Sequence, residues 1–243
     1  MNLYFEEYSN KNAPTIVFIH GGGMDSSIWG GSLDYFRDYH CIVVDLPEHG
    51  RSAEIKPFSI KSSVELIAQI IRENSNDKKA YVIGHSLGGV VLINLISRYP
   101  ELIEQAVIAS GNLQPSPLYK IFTNSMVCTF VSFLNRKKYK KEYVTSEMLK
   151  RVYKEMILYS RIPDGLNETK VPILLIAGEK EPEFLKKSNR DLLHICQNAK
   201  EITILKAKHD YPWIENQLFN EIVYACMENK SISNERIINY ETM

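Results

Sequence analysis

Short apolar runs alternate with stretches of helical spacing along most of the chain. Thr15 to His20 (TIVFIH) and Cys41 to Leu46 (CIVVDL) are rich in β-branched residues and end at turn chemistry, as strands buried on both faces do. From Phe58 to Glu73 the spacing changes, and Val64, Ile67, Ile70 and Ile71 fall on one face of a helix. Ala80 to Gly84 then reads as a strand, Leu87 to Tyr99 as a helix that stops before Pro100, and Glu104 to Ser110 as another strand. Strands and helices in alternation predict an α/β fold, with a mostly parallel central sheet covered by helices on both faces.

The alternation breaks at Asn112. Until about Thr169 it is replaced by two helical patterns, roughly Leu118 to Leu134 and Ser146 to Ile162, joined by the basic stretch Arg136 to Lys141. It resumes with a strand at Val171 to Gly178, a charged helix from Phe184 to His194, a strand at Glu201 to Leu205 and a last helix from about Ile214 to Glu228. The polar residues from about Asn229 onward are expected to fray. This order predicts a single domain over residues 1–243, with a helical insertion at about 112–169 between two strands of one sheet.

Composition narrows the partners. Lys plus Arg equals Asp plus Glu at 29 each in 243 residues, so no global field collects nucleic acid or an anionic membrane, and partners must be recognised locally. The four cysteines, Cys41, Cys128, Cys196 and Cys226, form no CxxC pair or Cys/His cluster, which argues against a metal site and a disulfide framework. The opening MNLYFEEYSNKN lacks a basic segment followed by an apolar one. No window reaches the ~18 uninterrupted apolar residues of a membrane span. A cytoplasmic protein without stable membrane insertion is expected.

The candidate chemistry centres on Gly84-His85-Ser86-Leu87-Gly88, a GxSxG pattern between a strand and a helix. A tight turn there forces the middle residue into a strained conformation and leaves no room for side chains two residues away on either side. It also lifts Ser86 Oγ clear of the sheet edge, at the amides of a helix N-terminus. A serine that merely caps the helix, with glycines for close packing, uses the same residues and stays open at this level. A serine nucleophile needs a base. Of six histidines, His85 lies in the turn itself, His40 opens a strand, His49 sits in a turn and His194 on a charged helix. His209 follows a strand in the loop KAKHDYP, at the carboxyl end where open α/β sheets place their chemistry. The glycines at 21 to 23 can bring a backbone N–H close to a developing oxyanion, paired with the N–H of Leu87. Gly22 is the first candidate donor and Gly23 the second.

In order along the chain, HGGG at His20 to Gly23, DLPEHGRS at Asp45 to Ser52, GHSLGG at Gly84 to Gly89, IAGEKEPEF at Ile176 to Phe184 and the late His209 resemble the α/β-hydrolase superfamily. The resemblance implies Ser86 as nucleophile, His209 as base, an acid from the segment after Gly178, and the insertion as a lid. Glu181 stands where the family normally has Asp, with Glu179 and Glu183 nearby. HGGGMDSSIW also resembles a pattern of small bacterial signalling hydrolases and strigolactone-receptor-type proteins, in which an aromatic usually replaces Gly22. The family usually has Gly at the Glu48 position, whereas Asp45 and Arg51 are expected to hold their loop.

Substrate is the least legible property. Phe122, Met126 and Phe130 lie on an unusually apolar helix of the insertion that can roof an acyl or aromatic pocket; packing against the core explains the same pattern. The run NRKKYKKEY at Asn135 to Tyr143 is expected to be a solvated turn, with contact to an anionic membrane or an acidic partner as the alternative. The expected protein is a metal-independent serine hydrolase that needs no cofactor. Its partner would be a small, fairly apolar carboxylic ester or lactone, cleaved through an acyl-enzyme. Two other readings use the same residues: a ligand sensor or scaffold on a hydrolase core, and a carbon–carbon bond hydrolase or perhydrolase.

Overall fold

The computed structural model of the chain describes residues 2–241. Eight strands form one sheet: β1 (Phe5–Ser9), β2 (Thr15–Ile19), β3 (His40–Val44), β4 (Ala80–His85), β5 (Ile103–Ala109), β6 (Ile173–Gly178), β7 (Ala199–Ile204) and β8 (Ile237–Glu241), in the order β1-β3-β2-β4-β5-β6-β7-β8. The six inner strands are parallel, and β1 and β8 close the edges antiparallel. β2 and β3 are buried at every position, which is why they read as unbroken apolar runs rather than alternating ones.

Helices cover both faces. On one side α2 (Ile60–Asn74), α3 (Leu87–Arg98) and α7 (Glu183–Ile195) pack over a core that includes Val17, Val82, Ile67, Val91 and Leu192. On the other, α1 (Gly30–Tyr35), a short α8 (Tyr211–Ile214) and α9 (Asn216–Met227) enclose Phe18, Trp29, Ile83, Tyr211 and Phe219. Between β5 and β6 lie α4 (Pro117–Ile121), α5 (Ser125–Tyr139) and α6 (Ser146–Leu158). Their buried residues Cys128, Val144, Leu149, Val152 and Met156 continue the first core.

Several boundaries depart from the sequence reading. The helix expected over 118–134 is two helices: α4 ends at Ile121, and Asn124 caps a new start at α5, its side chain accepting from the amides of Met126 and Val127. Arg136 is not in a turn but in the last turn of α5, and only Lys140 leaves it, in a left-handed conformation. The tail does not fray. Arg236 donates to Leu205 O and pairs with Glu215, which seats β8 against β7. Backbone pairing, an anchored arginine and the packing of Ile232 and Ile237 on the second core order this segment.

Candidate active site

Ser86, Glu181, His209 and the 21–23 glycines all sit in loops at the carboxyl ends of parallel strands, after β4, β6, β7 and β2 respectively. Ser86 has φ 54° and ψ −112°, a conformation costly for a non-glycine residue. Its amide donates to Ala109 O at 2.8 Å, which holds the turn against β5. The surrounding glycines are there for backbone contact. A Cβ on Gly84 would lie 2.4 Å from Gly88 O, and one on Gly88 would lie 2.3 Å from Ile19 O. Ser86 occupies the N-cap position of α3 but its side chain makes no capping hydrogen bond. The hydroxyl is therefore not consumed by the helix, which disfavours the capping alternative.

Glu181 is 4% exposed, in the turn between β6 and α7. Its Oε2 accepts from Ser110 Oγ (2.9 Å) and from the amide of Gly178 (2.8 Å), while Oε1 meets His209 Nδ1 at 2.5 Å. A carboxylate only accepts, so Nδ1 carries the proton and Nε2 is the basic nitrogen. Glu179 instead accepts from the amide of Lys206, and Glu183 pairs with Arg190 on the surface of α7. Ser110 went unnoticed in the sequence, where nothing separates it from an ordinary strand-end serine.

His209 and Ser86 are not joined by a hydrogen bond, as is common in hydrolase sites without substrate. His209 is held instead by the neighbour of Ser86 in the turn, His85, whose Nε2 donates to His209 O at 2.9 Å and whose ring lies 4.7 Å from the His209 ring. Its Nδ1 is buried with no protein partner, and a Cβ on Gly21 would stand 3.0 Å from it. Burial holds the His85 ring well below its ordinary pKa, with the neighbouring His209 adding to the effect.

Two more buried imidazoles shape the glycine loop. His20 Nδ1 donates to Gly21 O and its Nε2 accepts from the Leu46 amide; His49 Nδ1 donates to Pro47 O and its Nε2 accepts from the Gly23 amide. Desolvation lowers them to about 4 and about 3, so both stay neutral and keep one accepting nitrogen. The Gly23 amide is thereby occupied, and Gly23 drops out as the second candidate donor. No protein acceptor for the amides of Gly22 or Leu87 is found among the described residues.

The insertion meets the site through α6. A Cβ on Gly22 would lie 3.3 Å from Val152 Cγ1 and 3.6 Å from Leu87 Cδ2, and one on Gly23 would lie 3.9 Å from Leu149. Val152 thus occupies the space into which a side chain at position 22 would extend. The expectation for α5 needs correction. Met126 is 83% and Phe130 62% exposed, and Phe122 stacks on Tyr153 at 4.8 Å. Met126 and Phe130 thus face away from the core, while Phe122, just before α5, packs on α6.

Several polar links tie the insertion to the core. Asp25 accepts from Tyr143 OH at 2.9 Å and pairs with Lys141, so part of the basic run expected to be solvated is a half-buried anchor. Glu155 accepts from the amide of Ile60 at 2.8 Å, at the start of α2. Glu48, 2% exposed and at φ 63°, takes both Arg151 nitrogens and the Phe58 amide. Burial works to raise its pKa, but Arg151 and the amide outweigh it and hold the carboxyl below its ordinary value. Asp45 accepts from the amides of Ser26 and Arg51, as expected of a loop-holding residue.

A sequence model described as alpha/beta hydrolase fold matches residues 14–127. The uncharacterized hydrolase YugF of Bacillus subtilis is 29% identical over 80% of this chain and 76% of its own length. A pimeloyl-[acyl-carrier protein] methyl ester esterase of Wigglesworthia glossinidia brevipalpis is 32% identical over 46% of this chain and 42% of its own. The stretches matched at 32% identity span only 36 to 44% of those relatives. Among solved structures, MGS-M2, an alpha/beta hydrolase enzyme from a Medee basin deep-sea metagenome library, superposes with a TM-score of 0.82 at 18% identity over 96% of both chains. With the strand order, the turn at Ser86 and these likenesses together, the chain has the α/β-hydrolase fold.

Proposed function

We propose that this protein is a hydrolase that cleaves a small, fairly apolar carboxylic ester or lactone through a serine acyl-enzyme, in the cytoplasm and without a metal or cofactor. The observation that carries the reading is the pairing of an uncapped Ser86 hydroxyl on a strained turn with a His209 ring oriented by the buried Glu181. Ser86 Oγ attacks the carbonyl carbon as His209 Nε2 takes its proton. The amides of Leu87 and Gly22 receive the oxyanion. The acyl C–O bond then breaks, and His209 returns the proton to the departing alkoxide. Water attacks the acyl-enzyme with His209 again as base, which releases the acid and restores Ser86. Glu181 stabilises the imidazolium formed in each half-reaction.

Relatives named as esterases support the ester class, and the apolar Leu149 and Val152 beside the glycine loop support an apolar acyl group. Four free cysteines fit a reducing compartment. The test is labelling with a fluorophosphonate together with a p-nitrophenyl ester series of rising acyl length. Ser86→Ala should abolish labelling and lower turnover roughly 10⁴- to 10⁶-fold. Labelling that persists at another serine sinks the assignment, and labelling without ester turnover favours a ligand sensor.

A further inference from the structure

The helix α5 is inverted relative to an ordinary surface helix. Its inward side buries the small Cys128 and Ser132, while Met126, Phe130, Phe133 and Leu134 point into solvent. Nor is this an isolated feature. Eight of the twelve exposed large hydrophobic side chains among the described residues lie between positions 112 and 169, about a quarter of the chain. Scattered single apolar residues need no explanation, but a concentration on one helix face does.

Charge is concentrated on the same segment. Residues 112–169 hold ten Lys or Arg against five Asp or Glu, a net of +5 in a chain whose net charge is zero, so the remainder carries −5. Lys137 shares the stripe of Met126, Phe130 and Phe133, and Lys140 follows at its end, both exposed. An apolar face that ends in cations, on a neutral protein, matches an anionic phospholipid surface. The rings and the thioether enter the acyl boundary while the lysines stay among the headgroup phosphates.

We propose that the outer face of α5 docks the protein reversibly on anionic lipid bilayers. The face is built for the interface and not for spanning, since no helix among the described residues is long and apolar enough to cross a membrane. The docking does not depend on the chemistry at Ser86.

The experiment is co-sedimentation of the full chain with phosphatidylcholine vesicles, with and without phosphatidylglycerol. Binding is expected only to the anionic vesicles, and raising the salt from about 0.1 to about 0.5 M should weaken it. Lys137→Glu with Lys140→Glu should lower affinity roughly tenfold or more. Phe130→Ser with Phe133→Ser should do the same without lowering the melting temperature, because both rings are already exposed. Absence of binding to either vesicle overturns the proposal, as does equal binding to both that ignores the charge reversal. If sedimentation velocity shows a dimer that the Phe130/Phe133 pair dissolves, and vesicles bind nothing, the face joins two copies of the chain and the proposal also fails.

Discussion

The loops at the carboxyl edge of the sheet and the helical insertion above them are held by different physics. At the sheet edge, unfavourable backbone conformations at Ser86 and Ser110 persist because close-packed glycines and strand pairing leave no alternative. The insertion shows the reverse. Its helices have ordinary caps at Asn124 and Thr145 and bury Leu149, Val152 and Met156 in the first core, yet they leave other large apolar side chains in water and add polar clasps at Asp25, Glu48 and Glu155. Close backbone packing marks the sheet edge, while one apolar side and a few polar clasps hold what covers it.

The comparison breaks first if the sheet edge proves tolerant. Glu181→Gln is expected to lower turnover roughly 10²- to 10⁴-fold with an unchanged fold, because Gln cannot stabilise an imidazolium as a carboxylate does. Glu179→Gln and Glu183→Gln should stay near wild type, since one accepts from Lys206 and the other from Arg190, away from His209. Equal losses from all three would mean that acidity of the loop, rather than one oriented carboxylate, matters.

Acid should unfold the sheet edge from within. His20, His49 and His85 are neutral when folded, with pKa values depressed from 6.5, so the unfolded chain binds the protons that the native chain refuses. Stability is full above about pH 6.5 and falls as pH drops towards the folded values, by about 1.4 kcal/mol per pH unit for each histidine in that window. The insertion holds no histidine and adds nothing to this slope. Denaturant titrations between pH 7 and 4.5 should show the fall, and His49→Gln should make it shallower by about one proton.

The clasps sharpen the comparison on a smaller scale. Glu48→Gln is expected to cost about 1–2 kcal/mol in a denaturant titration, between an exposed pair and a fully buried one, because Arg151 is more than a third exposed and partly screened. A loss no larger than that of Lys187→Gln on the surface would mean that the insertion needs no clasp. Smallest of all are the acyl-pocket effects. Val152→Ala should shift the optimal ester length by widening the space beside Gly22, while Phe130→Ala should leave both the length profile and the melting temperature nearly unchanged. The opposite result would return α5 to the substrate pocket.

The sheet was legible because burial on both faces leaves its mark residue by residue. TIVFIH and CIVVDL can hardly be anything but inner strands, and the glycines about Ser86 announce a turn with no room for side chains. Glu181 could be singled out from Glu179 and Glu183 through the family resemblance, which places an acid three residues after the strand-ending glycine, and His209 by its place after a strand. The partners that hold them could not. Ser110 donates to Glu181 across 71 positions and His85 reaches the His209 carbonyl across 124, contacts that leave no periodic trace.

The sequence alone determined the α/β architecture and the order in which chemical groups arrive at the sheet edge, because both follow from local hydrophobic period and turn chemistry. Tertiary structure decided which groups face one another. A run of apolar residues in the insertion states that a helix has an apolar side, but not whether that side meets the core. Here α6 takes that place with Leu149 and Val152, and α5 is left with its rings outward. Glu48, a departure from the family glycine with no consequence visible in one dimension, acquires its meaning only when Arg151 is folded onto it from 103 residues away. Long-range pairing is a property of the packed chain, set by which surfaces are left to meet after each element has formed.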